Sequence, residues 1–91
     1  MSSHHAFLQR VRDLVDSLTA TLTVSQRHEV VHLIDHNEIG EALRTLAWII
    51  VEEDKTISAT DYKALLELSA GLVIEMDMPS DLASHVEGSA Q

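Results

Sequence analysis

Aliphatic side chains recur every three or four residues in separate segments of this 91-residue chain, and this spacing constrains the fold most. A stripe with that period lies along one face of an α-helix, whereas a half-buried strand alternates every two residues. The pattern predicts a long first helix that begins near Ser3. Its stripe is Leu8, Val11, Val15, Leu18 and Leu22.

A second helix is predicted to follow Thr23 and to end near Asn37. Thr23 is a favoured N-cap residue, and Gln26 three positions later completes the pattern of a capping box. A third helix is predicted over residues 39–53. Its inward side chains are Ile39, Leu43, Leu46 and Ile50.

A fourth helix is predicted to begin at Ser58, which forms an N-cap pattern with Asp61. Pro79 is expected to stop it, and Leu82 and Val86 then anchor a short helical turn. The inner stripe of this helix is Tyr62, Leu65, Leu68, Leu72 and Met76.

The composition supports an all-α fold. Apolar residues make up 45% of the chain but aromatic residues only 3%, so aliphatic side chains must fill the core, as they do in helix bundles. There is no cysteine, so packing alone holds the domain. We expect a small antiparallel bundle of four helices with a short fifth turn, a single domain over residues 1–87 and a frayed tail over residues 88–91.

The net charge of −9 argues against nucleic acid or anionic lipid as a direct partner and favours a basic protein. Residues 1–51 hold six acidic residues and four Lys or Arg, whereas residues 52–91 hold nine and two. The sequence has neither a secretory signal pattern nor an apolar run long enough to cross a membrane. We therefore expect a cytoplasmic protein without a membrane contact.

The segment His28-Glu29-Val30-Val31-His32 fits the H-E-x-x-H pattern of zinc proteases. With 100° per residue, His28, His32 and His36 form a stripe opposite the apolar face of the second helix, so we expect them to face water. A zinc enzyme also needs a third ligand and a cleft, which this small chain does not offer. Solvated histidines are the favoured interpretation, and a zinc-binding module or small metalloenzyme that uses this motif is the alternative.

Catalytic residues are not predicted, because nothing places a base beside a nucleophile. Trp48, the only tryptophan, is predicted on the polar side of the third helix with Glu41 and Glu52. An exposed Trp among charges often anchors an interface, although a Trp covered by the first helix or the C-terminal segment is slightly favoured here. Glu52-Glu53-Asp54 is either a solvated loop or a docking site for a basic partner.

The central part of the chain, over about residues 30–70, resembles the MafI-type immunity proteins, small helical bacterial proteins encoded beside secreted polymorphic toxins. The resemblance rests on spacing and residue character. Its residues are Ile34-Asp35, Asn37-Glu38, Gly40, Ala42-Leu43, Glu52-Glu53-Asp54, Ile57-Ser58 and Tyr62.

The resemblance implies a protein that binds the toxic C-terminal domain of its cognate toxin, often a nuclease, and neutralises it by stoichiometric binding. No catalytic residue, cofactor or metal follows from it. We expect a basic toxin domain as partner and a monomer or weak dimer when free; a self-associating adaptor is a further alternative. The expected contacts with the partner are Glu41, Trp48, Glu52, Glu53 and Asp54.

Overall fold

The computed structural model describes residues 3–70, 72 and 78–88 of the chain. Within them the chain forms helices and no named strand, which confirms the predicted all-α bundle. The elements are α1 (Ser3–Ser17), α2 (Val24–Asp35), α3 (Ile39–Glu52), α4 (Ala59–Ala70) and a 3-10 turn, here named the C-terminal turn (Leu82–His85). Helix α4 ends at Ala70, before the predicted stop at Pro79, and Leu72 of its predicted stripe lies in a bend. Met76 of that stripe, and residues 89–91 of the predicted tail, lie outside the described residues.

The first helix is shorter than its apolar stripe predicts. It ends at Ser17, and the Thr19 hydroxyl donates to the Asp16 carbonyl at 2.8 Å, which offers the chain an alternative to continued helix. Tight turns follow, yet Leu18 and Leu22 remain buried. The spacing therefore identified the core residues correctly but placed the end of the helix wrongly.

The predicted start of α2 is confirmed. The Thr23 hydroxyl accepts a hydrogen bond from the Gln26 backbone N–H, and the Gln26 side chain accepts one from the Thr23 backbone N–H, both at 3.0 Å. The start of α4 is confirmed in the same way, because the Ser58 hydroxyl accepts the Asp61 backbone N–H at 3.0 Å. Side chains thus satisfy backbone donors that the first turn of a helix leaves without partners.

Helices α2 and α3 end in the same motif. Asn37 and Asp54 follow their C-caps with φ of 62° and 53°, in the left-handed region. The next backbone N–H donates to the carbonyl five residues earlier, at 2.9 Å after α2 and 2.8 Å after α3. This is the Schellman arrangement, in which Asn and Asp here take the place usually held by glycine.

Helix α3 supplies the centre of the core. Leu46, Ala47 and Ile50 are fully buried, and the small side chains of Ala42 and Ala47 leave room for neighbouring helices. The helix packs against α2, α4 and the C-terminal turn, while α1 packs against α2 and α4. In α4, Leu65 and Leu68 are buried. Tyr62 and Leu72 are half-buried at the edge of the core.

The C-terminal turn is joined to the loop between α3 and α4. The Ile57 N–H donates to the His85 carbonyl at 3.0 Å, and the Glu87 N–H donates to the Ile57 carbonyl at 2.7 Å. Leu82 is buried and Val86 packs against the core, so the predicted anchors of this turn are confirmed. Among the described residues, no helix has both the length and the apolar character needed to cross a membrane.

Candidate functional site

The acidic elbow, Glu52-Glu53-Asp54, lies where α3 ends. Glu52 is the last helical residue, Glu53 is the C-cap and Asp54 takes the left-handed conformation of the Schellman motif. All three are exposed, and the Asp54 side chain is 94% exposed. Carboxylates at a helix C-terminus face its negative dipole end, which is electrostatically unfavourable. The charges of the elbow therefore do not serve the stability of α3.

Two contacts from distant parts of the chain hold the elbow in place. The Lys55 ammonium donates to the Thr21 carbonyl, after α1, at 2.8 Å. The His85 Nδ1 lies 3.0 Å from the Lys55 carbonyl oxygen, so Nδ1 carries the hydrogen and donates it. The same Nδ1 lies 3.6 Å from Oδ1 of Asp54. The carboxylates of the elbow are thus presented to solvent on a braced backbone.

The other expected contacts lie along α3. Glu41, Trp48 and Glu52 are seven and four residues apart and so share one face of the helix. Trp48 and Glu52 are one turn apart, whereas Glu41 lies roughly 16 Å from Glu52 along the helix axis at 1.5 Å per residue. The Glu41 carboxylate also pairs with Arg44. Four of the five expected residues therefore gather at one end of α3, and Glu41 lies apart from them.

The sequence slightly favoured a Trp48 covered by the first helix or the C-terminal segment, but in the structure the side chain is exposed. It is 39% exposed, one of three large apolar side chains that the described part of the structure leaves exposed, with Val24 and Leu66. A large indole one turn before Glu52, the first of the three elbow carboxylates, combines apolar area with charge. This combination is typical of residues that anchor protein interfaces.

The predicted histidine stripe is confirmed as solvent-facing, because His28 and His32 on α2 and His36 at its C-cap are all exposed. Glu29 is exposed as well, so the H-E-x-x-H residues lie on an open helix face. Within the described residues, no group of three or more His, Cys, Asp or Glu side chains is placed to hold a metal ion. No third ligand joins His28 and His32 there.

Two surface grooves lie away from the elbow. One of about 270 Å³ lies between α1 and α4, and Arg10, Ser17 and Asp61 are among its lining residues. Another of about 160 Å³ lies between α1 and α2, where Arg12 and Arg27 pair with Asp35 and Asp16. No residue of the elbow lines either of these two grooves.

Sequence reasoning missed Lys55, Thr21 and His85 as supports of the elbow. They are 30 or more residues from their partners, so no local pattern signals the contact. The pairing of Glu41 with Arg44 has a sequence signal, because oppositely charged residues three apart on a helix are neighbours. The left-handed conformation of Asp54 has a weaker sequence signal: an Asp stands just after the helix, where a glycine is usual.

The left-handed backbone conformation of Asp54 limits which residues can replace it. Asp54→Val should lower the free energy of unfolding by about 1–2 kcal/mol, because a β-branched residue is strained in the left-handed region. Asp54→Gly should not lower it. Urea unfolding followed by circular dichroism measures both. Equal stability of the two variants would contradict the Schellman geometry at this position.

Comparisons with protein-family models, with curated proteins and with solved structures find no match.

Proposed function

We propose that this protein is a bacterial immunity protein of the MafI type. It binds the toxic C-terminal domain of a cognate secreted toxin in the cytoplasm and neutralises it stoichiometrically, without a catalytic step. The observation that supports the proposal most is the acidic elbow at the end of α3. It has three exposed carboxylates on a braced backbone, and the first of them, Glu52, lies one turn after an exposed tryptophan.

The chemistry of a nuclease toxin suits this surface. A nuclease must attract phosphate, so the surface around its active cleft is basic. An acidic protein is attracted to such a surface over long distances, which speeds association and favours the correct pair. The net charge of −9 supplies the long-range attraction, and the elbow concentrates three of these charges at one place.

Trp48 adds the apolar component that charge alone lacks. Exposed ion pairs contribute little free energy in water, whereas a tryptophan buried in an interface is often among the residues that matter most. Trp48 lies one turn before Glu52, so a partner that covers the elbow also reaches the indole. The proposed interface is therefore centred on the C-terminal half of α3, and Glu41 contributes at its margin.

The proposal is tested with the product of the neighbouring reading frame. Its C-terminal domain, carrying an inactivating substitution, is expressed and titrated with this protein in a calorimeter. We expect a one-to-one complex with nanomolar affinity, and we expect co-expression to protect cells from the active domain. Tight binding without protection would contradict neutralisation. Failure to bind would contradict the pairing, and a concentration-dependent increase in the mass of the free chain would then favour the self-associating adaptor.

A further inference from the structure

The α2 face opposite the core brings two histidines together. His32 and His36 are exposed, one turn apart, with ring centroids 4.2 Å from each other. The His36 Nδ1 lies 2.9 Å from the His32 carbonyl oxygen. A carbonyl oxygen only accepts hydrogen bonds, so Nδ1 of His36 carries the hydrogen and donates it. In the neutral ring, the lone pair is therefore on Nε2.

This hydrogen bond is of the kind that orients histidines in metal sites. A metal-ligating histidine almost always donates its other ring N–H to a carbonyl or carboxylate, which fixes the tautomer and the direction of the ring. We propose that His32 and His36 form a two-imidazole site for a divalent transition-metal ion such as Zn²⁺, with Nε2 of His36 as one ligand. Imidazole nitrogen is a favoured ligand of such ions, and water completes the coordination.

The structure favours this pair over the pair within the H-E-x-x-H pattern. His28 is also one turn from His32, but the ring contact and the bond to a backbone carbonyl involve His36. His28 is therefore a matched control, because it has the same residue type, helix face and spacing from His32.

The proposed metal site and the acidic elbow are separate. His36 is the C-cap of α2, just before α3 begins, whereas the elbow lies at the far end of α3. The 14 residues of α3 span about 20 Å at 1.5 Å per residue. The metal site thus goes beyond the proposed function, and each is tested without the other.

The experiment is a calorimetric titration of the untagged full chain with Zn²⁺. We expect one ion per chain and no change of mass in solution. His32→Gln and His36→Gln should each weaken binding by at least the roughly tenfold that loss of even a supporting residue costs a metal site. His28→Gln should leave the affinity unchanged. Nitrogen-15 NMR should show Nε2 of His36 coordinated while Nδ1 keeps its hydrogen.

Three outcomes would overturn the proposal. Undiminished binding by a variant that carries both His32→Gln and His36→Gln would mean an adventitious ion only. An equal loss with His28→Gln would remove the distinction between the two pairs, and a doubling of mass would mean that a second chain supplies ligands. Urea unfolding without metal confirms that each variant folds. The elbow residues are unchanged in all of them, so failure here leaves the toxin pairing untouched.

Discussion

Replacing Leu46 by alanine is expected to lower the free energy of unfolding by about 2–5 kcal/mol. Leu46 is fully buried at the centre of α3, the helix that packs against α2, α4 and the C-terminal turn. The change removes apolar contacts and leaves a cavity. The neighbouring helices can move only a little, so they fill this cavity only in part. A domain of this kind has roughly 5–15 kcal/mol in total, so the loss is a large share of its stability.

Leu66 provides the matched control. It is the same residue type in a helix, but it is 44% exposed on α4, so Leu66→Ala should change the stability by no more than about 0.5 kcal/mol. Urea titration of both variants, monitored by circular dichroism, measures the difference. Equal losses would show that α3 does not supply the centre of the core.

Neutralising the acidic elbow is expected to slow association with the toxin domain by about tenfold or more at low salt. The variant carries Glu52→Gln, Glu53→Gln and Asp54→Asn. Asparagine is chosen at position 54 because it tolerates the left-handed conformation that Asp54 adopts. The rate should also depend less on salt, since three charges that attract a basic partner are gone. Stopped-flow association at several ionic strengths measures both effects.

Stability separates a role in binding from a role in folding. The elbow places carboxylates at the negative end of the α3 dipole, so their removal should leave the protein at least as stable as before. We therefore expect a variant that unfolds at the same or higher urea concentration and yet associates more slowly. A loss of stability that parallels the loss of association would contradict this separation.

A second triple variant shows whether position matters or only net charge. Glu29→Gln, Glu38→Gln and Asp81→Asn also remove three negative charges, from exposed sites on other parts of the chain. This variant should associate faster than the elbow variant and show a smaller change in salt dependence. Equal effects would mean that the whole field of the protein, and not the elbow, directs the encounter.

Most of the fold could be predicted because its signals are local. The capping box of Thr23 with Gln26 and the N-cap of Ser58 lie within one helical turn, and the structure confirms both. The end of α1 could not be placed, because Leu18 and Leu22 continue the apolar spacing in turns that also bury them. Apolar spacing reports burial, and burial does not require a helix.

The candidate site was predicted in part. Glu41, Trp48 and Glu52 were assigned to the polar side of α3, and all three are exposed there. The exposed fraction of Trp48 could not be predicted, because it depends on how the C-terminal turn and the other helices pack around α3.

The sequence by itself determined the four helices, the N-caps of α2 and α4 and the apolar faces, because these follow from interactions among residues three or four positions apart. Only the tertiary structure decided how the acidic elbow is held. Lys55 reaches the Thr21 carbonyl across 34 positions and His85 reaches the Lys55 carbonyl across 30, and these contacts exist only after the helices have packed. Packing is a property of the whole chain, so no local pattern records it.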